Sequence, residues 1–65
     1  ELLGRNHMIA YGTILTSKLY GTSIQVLQGF EMLGSQHYWI EQQWLGGERR
    51  IVSELILRVY YKEDK

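Results

Sequence analysis

The sequence predicts an α+β fold: one helix near residues 6–20, packed on a three-stranded antiparallel meander that curves around it. Three observations lead there. Residues 23–33 and 37–45 alternate with the period of two that strands show. Glycine-bearing segments, Gly34-Ser35-Gln36 and Gly46-Gly47, divide the second half where turns are needed. In the first half, Met8, Tyr11, Leu15 and Leu19 recur at spacings of 3, 4 and 4, as one face of a helix requires.

The first segment is balanced between two conformations. Asn6 is placed to cap a helix and Gly21 to end it. Against this, Gly12 costs a helix interior about 1 kcal/mol relative to Ala. Thr13, Ile14 and Thr16 are β-branched and favour a strand, in which Ile9, Tyr11, Thr13 and Leu15 would alternate. A strand here would close a small all-β barrel, a shape suited to peptides or nucleic acid.

The later segments are clearer. In residues 23–33, Ile24, Val26, Phe30 and Met32 share one face, and Gln25, Leu27, Glu31 and Leu33 the other. In residues 37–45, Tyr38, Ile40, Gln42 and Trp44 oppose His37, Trp39, Glu41, Gln43 and Leu45. Residues 49–61 suit a helix through Ile51, Leu55 and Arg58. The short Gly-Gly link and the Val59-Tyr60-Tyr61 ending instead predict one long strand. Residues 62–65 form a charged end. Glu1-Leu2-Leu3-Gly4 with His7 is echoed by Glu31-Met32-Leu33-Gly34 with His37, but the echo stops there, and a repeat architecture needs at least about three units.

Composition narrows the function. The chain has 65 residues, 45% hydrophobic, with seven basic and seven acidic side chains, so its formal charge is zero. Nucleic-acid binding is not expected without a surplus of positive charge. No apolar run approaches the ~18 residues of a membrane span, so no membrane is expected. There is no cysteine, which removes disulfides, thiolate metal sites and cysteine catalysis. Together with the lack of a recognisable signal peptide, this sets the expected localisation as cytoplasmic. A domain near 60 residues buries only about 60% of its unfolded surface. Such domains often rely on a disulfide, a metal or a partner chain. The expectation is therefore a single domain over residues 1–65, or the C-terminal fragment of a larger one, completed by a homo-oligomer or a second chain. A start at Glu1 rather than Met points the same way.

Residues 24–34 (IQVLQGFEMLG) resemble the central strand of the NTF2-like superfamily, the SnoaL-like and ketosteroid-isomerase-like proteins. The resemblance continues through a strand carrying Glu41, the turn Gly46-Gly47, and a long strand ending Leu57-Arg58-Val59-Tyr60-Tyr61. Upstream, Gly4-Arg5 followed by Met8, Ile9 and Tyr11 is similar to the opening of the family's third helix, and this resemblance tips the first segment from an even balance toward helix. The resemblance covers residues 4–65. It implies the C-terminal part of a conical domain around a pocket, of the kind found in polyketide cyclases, isomerases and dehydratases. The family's two N-terminal helices have no counterpart here, and in many family enzymes catalytic residues come from that part. No catalytic pair is carried over.

The candidate site follows from the strand face His37–Trp39–Glu41–Gln43. Lining a cavity, it offers an aromatic wall, an amide and a carboxylate. A buried Glu41 would have a raised pKa and could act as general acid or base. The ligand-binding candidates are Tyr11, His37, Trp39, Glu41 and Gln43, and the catalytic candidate is Glu41. The same face left to solvent, with Trp39 partly covered, is the commoner fate of an antiparallel sheet. Glu54 and Arg58, on one strand face, would orient a polar ligand or form a surface ion pair. His7 and His37 are the only histidines and no cysteine joins them, so no metal is expected. No cofactor motif or nucleophile elbow occurs. The expected function is a domain binding a small apolar ligand. The alternative is a non-catalytic dimerisation or protein-interaction module on the same sheet.

Overall fold

The computed structural model describes residues 8–43 and 46–63. Its elements run β1 (Ile14–Ser17), β2 (Ser23–Met32), β3 (Ser35–Gln42), β4 (Arg49–Ser53), α1 (Glu54–Tyr60) and β5 (Tyr61–Glu63). They form an α+β arrangement: a five-stranded antiparallel sheet in the order β4-β3-β2-β1-β5, with α1 on one face. The fold class is as expected, but the helix lies elsewhere.

The expected helix over residues 6–20 is replaced by a turn and β1. Asn6, its proposed cap, lies outside the described residues. Gly12 has φ +89°, far from helical backbone, and its N–H donates to the Val26 carbonyl at 2.7 Å. Val26 N–H returns a bond to the Thr13 carbonyl at 2.8 Å. Pairing with β2 therefore overrides the 3-4-4 spacing, and the β-branched Thr13, Ile14 and Thr16 suit it. Beyond β1, the buried Ser17 hydroxyl accepts the N–H groups of Leu19 at 3.2 Å and Tyr20 at 3.0 Å, which folds the chain back into β2.

The long final strand is also overturned. It ends at Ser53, whose hydroxyl accepts the Ile56 N–H at 3.3 Å and caps α1. Glu54 sits in the first turn and Arg58 in the last, the order the helix dipole favours. Leu57, fully buried, anchors the helix in the core. The seven residues of α1 connect β4, at one edge of the sheet, to β5, at the other.

A bulge interrupts β2. Val26 pairs with Ile40, yet Gly29 pairs with Tyr38, so Leu27 and Gln28 together oppose Trp39. The extra residue reverses the alternation. The expected shared face of Ile24, Val26, Phe30 and Met32 is therefore split: Ile24 and Val26 face the core, while Phe30 and Met32 join the opposite face. Phe30 stacks on His37 with centroids 6.2 Å apart. The following turn is Leu33-Gly34, one residue earlier than Gly34-Ser35-Gln36, because Met32 pairs with Ser35.

The core is Ile9, Leu15, Ile24, Val26, Tyr38, Ile40 and Leu57, with Val52 and Tyr61 against it. Tyr38 is its largest fully buried member. A Cβ on Gly29 would lie 2.8 Å from the Tyr38 ring, so the strand carries glycine where the ring crosses it. The Tyr38 hydroxyl accepts the Ile9 N–H at 2.9 Å and lies near the Glu54 carboxylate. Burial, reinforced by the Glu54 carboxylate, pushes this hydroxyl above the usual phenol range, against the opposing pull of the Ile9 N–H.

In the unfolded chain Tyr38 titrates near its ordinary value of about 10, below its folded value. Its contribution to stability is therefore whole below about pH 10 and is lost as pH rises through the folded value. Urea denaturation at pH 8 and pH 11 will show a steeper alkaline loss in the parent chain than in Tyr38→Phe; equal losses would remove Tyr38 from this role. At the β2–β3 turn, Leu33 has φ +54° and Gly34 φ +77°, the paired positive values of a type I′ turn. Leu33→Asn will stabilise the chain by about 1 kcal/mol in chemical denaturation, because asparagine tolerates that backbone and leucine does not.

Candidate functional site

The face of the sheet away from α1 carries the candidate site. Three cross-strand rows build it. Gln25 pairs with Glu41, and Glu41 with Arg49. Leu27 and Gln28 of the bulge face Trp39, which pairs with Ile51. Phe30 pairs with His37, and His37 with Ser53. Above the first two rows lies an open groove of about 450 Å3, bordered by Tyr11 on one side and Arg49 on the other.

Each border has a local cause. The bonds between Gly12 and Val26 hold the Tyr11 segment alongside β2. The bulge sets two side chains, Leu27 and Gln28, against the one indole of Trp39, which stays 40% exposed. Gly46 and Gly47, both with φ +76°, turn the chain toward β4, and the Gln42 N–H donates to the Glu48 carbonyl at 2.8 Å. Gly47 lies against Glu41 so closely that a Cβ there would be 2.6 Å from its Oε2.

Glu41 does not occupy the dry setting expected of a general acid or base. Its Oε1 lies 3.7 Å from Arg49 Nε, and the two side chains are 32% and 66% exposed. The carboxylate is one-third exposed and lies beside a counter-charge. This arrangement can bind and orient a polar group at the groove rim.

Of the five ligand-binding candidates, Tyr11, Trp39 and Glu41 line this groove together. Gln43 lies past the end of β3, its N–H donating to the Ser23 carbonyl at 3.1 Å. His37 belongs to a second groove of about 390 Å3, with Ser53, Glu54 and Arg58. Its Nδ1 lies 3.0 Å from the Ser35 carbonyl oxygen, and its ring stacks on Phe30. Glu54 and Arg58, expected on a strand, form an i,i+4 helical pair at 3.7 Å. Among the described residues no group of three or more His, Asp or Glu side chains is placed to hold a metal ion.

Sequence reasoning missed Gln25, Gln28 and Arg49. Gln25 is the polar position between Ile24 and Val26 in the alternation of β2. Gln28 reaches the face only through the bulge. Arg49 meets Glu41 through a register that neither strand specifies alone.

No family model matches the chain, and no curated protein or solved structure matches it.

The Glu41–Arg49 pair is solvent-exposed, so a double-mutant cycle with Glu41→Gln and Arg49→Ala will give a coupling of about 1 kcal/mol or less. A coupling several times larger in denaturation measurements would show that the pair holds β3 and β4 together.

Proposed function

We propose that this domain is a non-catalytic protein-interaction module that grips a segment of a partner protein in the groove over β2, β3 and β4. The observation that carries the reading is the company Trp39 keeps. A half-exposed indole, a tyrosine and an arginine border one groove. Trp, Tyr and Arg are the side chains that dominate binding energy where proteins meet.

The physical logic is that of an anchor with a polar rim. An apolar side chain of the partner would rest on Trp39 and Leu27 and shed water there. Arg49, held loosely by Glu41, would turn its guanidinium toward a carboxylate beside that anchor. Gln25 and Gln28 offer amides to a partner's backbone. The preferred segment therefore carries an apolar residue next to an acidic one.

A smaller ligand is the second reading. It keeps the small-molecule function implied by the NTF2-like resemblance, and the groove volume supports it, since ligand sites span roughly 300–1,000 Å3. The openness of the groove favours the protein partner. Small-molecule sites enclose roughly 70–90% of their ligand, and on the other face the space between sheet and helix is taken by Tyr38, Ile40 and Leu57.

The test is selection from a random-peptide display library on the immobilised chain, with binding then measured for Trp39→Ala and Arg49→Glu. Selected peptides are expected to share an apolar–acidic pair. Trp39→Ala should weaken them at least tenfold, about 1.4 kcal/mol, with the circular dichroism spectrum unchanged. Arg49→Glu should shift the selection from acidic to basic peptides. Peptides that bind Trp39→Ala as tightly as the parent would overturn the proposal. A small-molecule fragment bound at Trp39, with no peptide selected, would favour the second reading.

A further inference from the structure

The helix α1 buries one apolar side chain and exposes four. At 100° per residue, Leu55, Val59, Ile56 and Tyr60 occupy a continuous arc of about 140°. Leu57 points to the core, and Glu54 with Arg58 lies between the two. A surface helix ordinarily shows the reverse, with its polar stripe outward.

The apolar surface continues beyond the helix. The Lys18 N–H donates to the Tyr60 carbonyl at 2.8 Å, which fixes the β1–β2 turn at the C-terminal end of α1. That turn adds Leu19 and Tyr20. These two and the four helix residues are each between 42% and 78% exposed. With about 200 Å2 for a large apolar side chain, they leave on the order of 700 Å2 in water. The largest patch on a typical monomer is about 300–600 Å2. A standard interface buries roughly 800 Å2 per partner.

We infer that α1 and the Leu19–Tyr20 turn form the interface of a symmetric dimer, with a second copy of this chain as the occupant. The area fits one such partner. The charge pattern fits a two-fold axis. A two-fold perpendicular to α1 sets the helices antiparallel, so Glu54 at the start of α1 comes beside the Lys18 end of the other copy. The helix dipoles then oppose each other favourably. The arc itself carries no charge to repel its own image, and the chain has no net charge. Rows Leu55–Val59 and Ile56–Tyr60 supply the ridges that two helices interdigitate. The inference is independent of the groove, which lies on the other face of the sheet.

Sedimentation equilibrium of the chain from about 1 µM to about 1 mM should show a species of twice the 7.7 kDa chain mass, with a Kd inside that range. Leu55→Lys adds a charge to a side chain that the single chain already exposes. It should raise the Kd at least about thirtyfold while the spectrum stays folded. Mixed labelled and unlabelled chains give a readout that needs no variant: intermolecular NOEs should join Leu55, Ile56 and Val59 methyl groups across copies. Trp39→Ala should leave the dimer intact, which separates this result from the groove. A chain monomeric at about 1 mM, or intermolecular NOEs at Trp39 and Ile51 instead of α1, would overturn the inference.

Discussion

The structure depends on the packing of Tyr38 across Gly29. The ring lies across β2 at Gly29, where a Cβ would come within 2.8 Å of it, so the missing side chain makes room for it. The ring then carries its hydroxyl far enough to accept the Ile9 N–H and to reach Glu54 at the start of α1. One side chain thus joins β2, β3, the segment before β1 and the helix. A buried hydroxyl is tolerated because it has a hydrogen-bond partner in the Ile9 N–H. Smaller apolar residues would fill part of the volume and leave the Ile9 N–H without its partner.

The parts of the fold legible in the sequence were those that local pattern controls. Alternation located β2 and β3, and the paired glycines located the turn before β4. The face of β3 carrying Trp39 and Glu41 was correctly separated from the one carrying Tyr38 and Ile40. Two elements escaped because distant contacts decide them. The 3-4-4 spacing from Met8 to Leu19 is as helical as any in the chain, yet Gly12 at φ +89° and the pairing of β1 with β2 exclude a helix there. Residues 49–61 have no internal breaker, and only the Ser53 cap and the seat of Leu57 convert their second half to helix. The candidate site was half legible for the same reason. Tyr11, Trp39 and Glu41 were chosen from residue type and face, whereas Gln28 and Arg49 depend on a bulge and a register.

The two faces of the sheet divide the chemistry. Toward α1, the strands present Leu15, Ile24, Val26, Tyr38 and Ile40, and the space is filled. Away from it, charged and amide groups surround Trp39 in a groove open to water. Beyond the sheet, the exposed side of α1 is apolar. The molecule has a polar groove with an aromatic anchor on one side and a greasy helix on the other. That separation suits a small domain meeting two different surfaces, each by its own chemistry.

The pairing of β1 with β5 has a kinetic meaning. The hairpin of β2 and β3 joins neighbours in sequence, and it can form while little else is ordered. The last strand reaches back past three others to set Leu15 beside Glu63 and Ser17 beside Tyr61. Closing so long a loop gives up chain entropy before its contacts are made. During synthesis β1 must wait, with one edge unpaired, until β5 has left the ribosome. Among the described strands, the three residues of β5 thus close the β1 edge through the pairing of longest sequence separation.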